Sequence, residues 1–131
     1  MTFSVYEKRI LYRIVEMAQG ELQGVRFATD CKKIEHTLFD TVHITMPIAS
    51  LLNGESDENY TRVKQALLSL QKKIFTYEDE KEWISISIIA LPKIKKRSSV
   101  VSFQIDSHIW DCCLDFSKGF SQIRISHCDE V

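Results

Sequence analysis

Lys93, Lys95, Lys96 and Arg97 crowd four cations into five positions, followed directly by Ser98 and Ser99. Clustered cations on a projecting segment suit phosphate binding, because each one brought to a phosphate releases condensed counterions. The serine hydroxyls can add hydrogen bonds to phosphate oxygens. The plainer reading is a solvated loop whose charges serve solubility. A second group, Arg62, Lys64, Gln65, Ser69 and Lys72, recurs at helical spacing. Arg and Gln side chains can bond bidentately to guanine and adenine edges, and a helix fits the major groove. Set against this is an ordinary wet helix face opposite a core stripe. Asp57 and Glu58 at its start suit the helix dipole but repel an approaching phosphate.

No catalytic constellation accompanies these groups. His36 and His43 have no nucleophile or carboxylate partner at motif spacing, and no glycine-rich phosphate loop or GxSxG occurs. His108 and Cys112 are four apart and share a helical face, but only His127 and Cys128 remain as distant co-ligands. Cys112 and Cys113 read better as small core hydrophobes beside Trp110. Asp111 and Asp115 read as exposed helix surface. The expectation is binding rather than catalysis, with no metal and no cofactor.

Elements that would position the two cationic groups follow from periodicity. Ser4 and Glu7 have capping-box spacing, and Phe3, Tyr6, Ile10, Ile14 and Met17 continue as a helix. Leu11, Val15 and Ala18 widen its apolar side, and Gly20 and Gly24 are expected to end it. Residues 25–41 carry apolar side chains without a period. Val42, Ile44 and Met46 then alternate with His43 and Thr45 as a strand, and Pro47 opens a brief helix from Ile48 to Leu52. Ser56 or Asp57 caps a longer helix with a core stripe of Tyr60, Val63, Leu67, Leu70 and Ile74.

After Ile74 the period becomes two. Strands are expected at Ile74–Glu78 and Trp83–Leu91 around the acidic turn Glu78–Glu82, with Pro92 ending the second. That turn is a solvated tip, a guard against DNA, or a partner for a basic patch. A basic connection over residues 92–99 leads to a third strand, Val100–Ile105. Asp106 or Ser107 caps a last helix holding Ile109, Trp110, Cys113 and Leu114, and Phe120, Ile123 and Ile125 suggest a final extended segment. Strand, short helix, longer helix and hairpin in this order predict an α+β winged helix with an extra N-terminal helix. The longer helix would be the reading helix and residues 92–99 the wing.

Composition sets bounds on this. The 131 residues, 44% hydrophobic and 27% charged, fit one domain, and 4 Gly and 2 Pro argue against long disordered tracts. With 17 basic against 18 acidic residues the net charge is −1, so positive charge for DNA must be local. No run approaches the ~20 apolar residues of a membrane span. The N-terminus lacks a secretory pattern, and four cysteines without CxxC spacing suggest reduced thiols in the cytoplasm.

The run Asn59–Leu70, the strands Trp83–Ile89 and Val101–Asp106, and above all Ile109-Trp110 with Leu114–Phe120 resemble iteron-binding plasmid replication initiators. So does the opening Phe3–Tyr12. The resemblance implies two tandem winged-helix domains, of which this would be the first, running over residues 1–131 and ending where the second begins. It implies a homodimer that binds double-stranded DNA at the repeats of a plasmid origin. In that family the second domain does most of the base reading, while the first dimerises and touches mainly backbone. The alternative is a winged-helix protein-interaction module without DNA affinity of its own. For the dimer, both the first helix and an exposed strand edge remain open.

Overall fold

The computed structural model describes residues 2–52, 60–114 and 125–127. The capping box forms as its spacing requires: Ser4 Oγ accepts from the Glu7 amide at 3.2 Å, and Glu7 Oε1 accepts from the Ser4 amide at 3.0 Å. Helix α1 (Val5–Leu22) follows and buries Tyr6, Ile10, Ile14, Met17 and Ala18. Gly20 does not end it. The helix runs two residues further, and Gly20 instead makes room for the Phe27 ring, since a Cβ there would lie 2.9 Å from Phe27 Cζ. Gly24, at φ 97°, supplies the left-handed residue that closes the helix. The aperiodic stretch after it contains strand β1 (Lys33–His36).

Strand β2 (Thr41–Pro47) buries Val42, Ile44 and Met46 and leaves the alternate positions half-exposed. Pro47 is its last residue rather than the opening of a helix, and the short helix α2 spans Ala49–Leu52. Helix α3 (Tyr60–Lys72) buries Val63, Ala66, Leu67 and Leu70. Its expected capping residues, Ser56 and Asp57, lie outside the described residues. Ile74, expected at the end of that stripe, belongs to strand β3 (Lys73–Glu78), which starts directly where α3 stops. Strand β4 (Trp83–Ser87) pairs antiparallel with β3, and the short β7 (Ile125–His127) lies on its other side.

The expected single strand Trp83–Leu91 is two. After Ser87 the buried Ile88 and Ile89 turn the chain into the core, and β5 (Ala90–Lys95) joins a different sheet. Pro92 lies inside β5, not at its end. It falls at the register shift between Ala90 and Lys93, on an edge strand, where the missing amide hydrogen costs no ladder bond. Strand β6 (Val100–Asp106) is central and buried almost throughout, giving a four-stranded order β1-β2-β6-β5 beside the three-stranded β4-β3-β7. Helix α4 (Ser107–Leu114) follows at once, with the His108 amide donating to Asp106 Oδ1 at 2.9 Å as the expected cap. One hydrophobic core joins α1, α2, α3, α4 and both sheets.

A charged pair crosses this core. Lys73, 1% exposed, donates through Nζ to Glu7 Oε2 and, at 2.9 Å, to Ser69 Oγ. Its ammonium also lies 5.1 Å from the centre of the Phe3 ring. Burial pushes the Glu7 carboxyl up, but the Lys73 hydrogen bond, the Ser4 amide and the Lys73 charge hold it below its ordinary value. Glu7 therefore both caps α1 and ties it to the joint between α3 and β3.

Candidate nucleic-acid interface

The basic segment is a hairpin rather than a plain connection. Lys93 and Lys95 lie on β5 on either side of the half-buried Ile94, so strand alternation turns both outward. Lys96 and Arg97 lie in the four-residue turn 96–99 before β6, all exposed. The turn is held at its base. Ser99 takes φ 55°, its carbonyl accepts from the Ile48 amide at 2.9 Å just ahead of α2, and Tyr60 Oη is 3.5 Å from Ser99 Oγ. The wing is thus joined to both helices of the helix-turn-helix.

The geometry of α3 sorts the other group. Successive residues turn by about 100°, so Lys64, four after Tyr60, stands on the same flank as Tyr60 and the wing. Gln65 and Lys72, seven apart, share the outermost line, with Leu68 exposed beside them. Arg62 is exposed but stands about 200° around the helix from Tyr60. It shares a flank with Ser69, seven residues on. Ser69 does not face solvent as expected: it is half-buried, and its hydroxyl accepts from Lys73. The fold therefore brings Lys64 and the wing cations to one side, keeps Gln65 and Lys72 on the outer face, and turns Arg62 and Ser69 toward α1.

Opposite charge sits at the far end of β6. The strand's seven residues separate the wing turn from the start of α4 by about 20 Å. There His108 Nδ1 is 2.7 Å from Asp106 Oδ1, and Nε2 is 3.4 Å from Glu82 Oε1 in the β3–β4 turn. The turn itself is built on Asp79, whose Oδ1 accepts from the Lys81 and Glu82 amides at 2.8 and 2.9 Å. Those amides hold the Asp79 carboxyl below its usual value. The acidic tip is solvated, as expected, and it is also fixed in shape and latched to α4. Segregation along β6 reconciles a net charge of −1 with a cationic wing.

The latch carries a pH dependence. The hydrogen bond to Asp106 raises the His108 pKa, burial opposes this, and the charges of Asp106 and Glu82 add to the rise. Tyr77, Asp79 and Cys112 complete the titratable surroundings. A raised folded value means that the imidazolium stabilises the latch fully below the unfolded value and loses that contribution as pH rises through the folded one. Amide protection of residues 79–83 should fall across that interval and be flat across it in His108→Ala. A parent profile without the step would remove the latch.

Among the described residues no group of three or more His, Cys, Asp or Glu is placed to hold a metal. Cys112 and Cys113 are half-buried against the core, and burial pushes the Cys113 thiol up to about 12. Asp111 is exposed, and Asp115 lies outside the described residues. His36 bonds Glu21 at 2.7 Å and meets the Trp110 ring edge-on, and His43 Nδ1 lies 3.7 Å from Glu35. Both are occupied in surface pairs.

Four residues whose joining contacts were not expected from the sequence hold the wing and the short helix in place. Tyr60 and Ser99 join α3 to the wing, and Ser99, expected only as a phosphate-bonding hydroxyl, gave no sign of this role because a left-handed serine looks like any loop serine. Arg9 Nη1 donates to the Leu51 carbonyl at 3.0 Å and Arg13 Nε to the Ser50 carbonyl at 3.2 Å, closing the C-terminal end of α2. The i, i+4 spacing of that arginine pair was a visible signal.

Among the described residues no helix is long and apolar enough to cross a membrane. No curated protein matches the chain. The crystal structure of the MSBI1.176 WH1 domain, a replication protein isolated from a multiple sclerosis patient, is similar in fold. Its TM-score is 0.54 at 13% identity, over 92% of this chain and 88% of that one. That likeness makes the α+β arrangement of three hairpins and three helices, with a helix before them, a winged helix. The family model described as Initiator Replication protein, WH1 matches residues 1–131. The chain belongs to the winged-helix WH1 domain family of replication initiator proteins.

Proposed function

We propose that this chain is the DNA-binding and dimerisation domain of a plasmid replication initiator that recognises repeats at its origin. The observation that carries the reading is the joint at Ser99, which ties the cationic wing to Ile48 and Tyr60. Lys93, Lys95, Lys96 and Arg97 grip phosphates on one side of the joint, and Lys64, Gln65 and Lys72 meet the duplex on the other. Arg62 reaches DNA only where the duplex wraps toward α1, and Ser69 serves the fold. Residues 1–131 form one winged-helix domain of a longer two-domain initiator working in the cytoplasm. Its chemistry is binding, without catalysis or cofactor.

Homodimerisation belongs to this reading. Strand β1 ends the four-stranded sheet, and Leu38 and Phe39 in the turn beyond it are 96% and 85% exposed. An edge strand with apolar anchors beside it readily extends a sheet into a second copy.

The competing reading, a protein-interaction module without DNA affinity, draws on the exposed Leu68 in the outer face of α3 and on the near-neutral net charge. Titrating salt against an origin-repeat duplex decides between them. The DNA reading expects log affinity to fall linearly with log salt, by about 0.9 per phosphate contact. Failure to bind duplex at low salt leaves only the interaction module.

A further inference from the structure

We propose that the β3–β4 tip of one copy, led by Trp83, docks into a hollow on the outer face of α1 of a second copy. The contact goes beyond the DNA reading and does not depend on it. The hollow is a shallow groove, open to solvent, between the side chains of Val5, Lys8, Arg9, Tyr12 and Arg13 on this one helix. Val5 and Tyr12 are largely exposed and offer an apolar floor on the side of α1 turned away from its buried stripe. Lys8, Arg9 and Arg13 against Glu16 make that face net positive.

The tip is its complement. Trp83 is 62% exposed at the start of β4, directly after a turn holding Glu78, Asp79, Glu80 and Glu82 against one lysine. An indole entering the hollow would meet the apolar surfaces of Val5 and Tyr12, with the exposed Lys8 ammonium able to lie over its face. The neighbouring carboxylates would reach the rim cations. The tip also arrives preformed, through the Asp79 clamp and the Glu82–His108 contact, so little freedom is lost on docking. Tryptophan, tyrosine and arginine are the residue types that carry most energy at such contacts.

Charge decides how the copies meet. Two tips facing each other, or two α1 faces, would set like charges together, whereas tip to α1 pairs opposite ones. Such a contact is heterologous: each added copy leaves one hollow and one tip open, so association continues with concentration instead of closing at two.

Sedimentation over a concentration series at low salt tests this with the whole chain and two variants, Trp83→Ser and Lys8→Glu/Tyr12→Ser. All altered side chains are exposed, and circular dichroism checks that both variants fold. The parent is expected to grow in mass with concentration and to lose that growth in high salt. Each variant alone should weaken the contact by roughly thirtyfold or more. Mixing the two should restore a one-to-one complex, because each keeps the half that the other lacks. Trp83 emission should shift to the blue in the parent on association, against a constant background from Trp110, which is 3% exposed. Both variants should bind duplex DNA like the parent, so failure here is separable from failure of the DNA reading. Growth beyond the two copies that the β1 edge can join, if it survives in either variant, or a mixture that stays apart, overturns the contact. A parent of constant mass overturns it too and leaves the hollow to a different protein.

Discussion

Lys73→Ala should cost about 3–5 kcal/mol of folding stability, read as a shift of the urea midpoint at unchanged slope. The loss comes less from the missing bond than from what remains. Glu7 is 4% exposed, and without Lys73 its carboxylate stays buried with its hydrogen bonds to Ser4 but no opposite charge. A domain of this size has about 5–15 kcal/mol in total, so the variant approaches the threshold of folding. Removing both charges is a different experiment. Glu7→Leu with Lys73→Met should recover most of the loss, since a desolvated pair gains little over packed apolar groups of similar volume. The parent should also weaken in acid: Glu7 titrates below its ordinary value of 4.5, so its contribution is present above that value and lost as pH falls through the folded one. If Lys73→Ala costs under about 1 kcal/mol, the pair is solvated and does not hold α1 to the α3–β3 joint.

That pair marks where reading the chain alone stops. Glu7 was legible as a capping residue, because a capping box is local and joins residues three apart. Its second bond, to a lysine 66 residues away, has no local trace. Lys73 follows Lys72 at the point where period 3.6 gives way to period 2, and at such a boundary direction changes within one residue. One lysine turns out and the other in. The same loss of phase hid the end of α3 at Lys72, and the bond from Lys73 draws in Ser69, which the helical period alone puts at the surface. The stripes of α1, α3 and β2 were legible because each repeats its period several times. The break after Ser87 was not. Ile84, Ile86 and Ile88 alternate without interruption, and only tertiary structure divides Ile88 from the strand to enter the core between two sheets. Pro92 misled for the opposite reason, since an edge bulge tolerates the residue that would end a central strand. For the site, the cations were visible as a cluster, whereas their relation to α3 depends on a tyrosine and a serine 39 residues apart.

Replacing Lys93, Lys95, Lys96 and Arg97 together by glutamine should weaken binding to an origin-repeat duplex by roughly 10- to 1,000-fold at low salt, and should weaken binding to unrelated duplex about as much. The salt slope should fall by about 0.9 for each of the four that neutralises a phosphate. Stability should hardly change, because all four side chains are exposed. Position on α3 then grades the single variants. Lys64→Gln, on the Tyr60 flank, should lower the slope further, while Arg62→Gln, on the Ser69 flank, should leave it nearly unaltered. Gln65→Ala tests something else: a change confined to the cognate repeat would mean a base contact, and a uniform change would mean backbone only. The prediction is sharp because the molecule as a whole is slightly negative. A globally basic protein would keep a general attraction for DNA after losing four cations, but here the acidic tip at the other end of β6 would dominate the remaining field. A quadruple variant that binds with the parent's affinity and slope would place the duplex on a surface other than the wing, and the joint at Ser99 would then serve the fold alone.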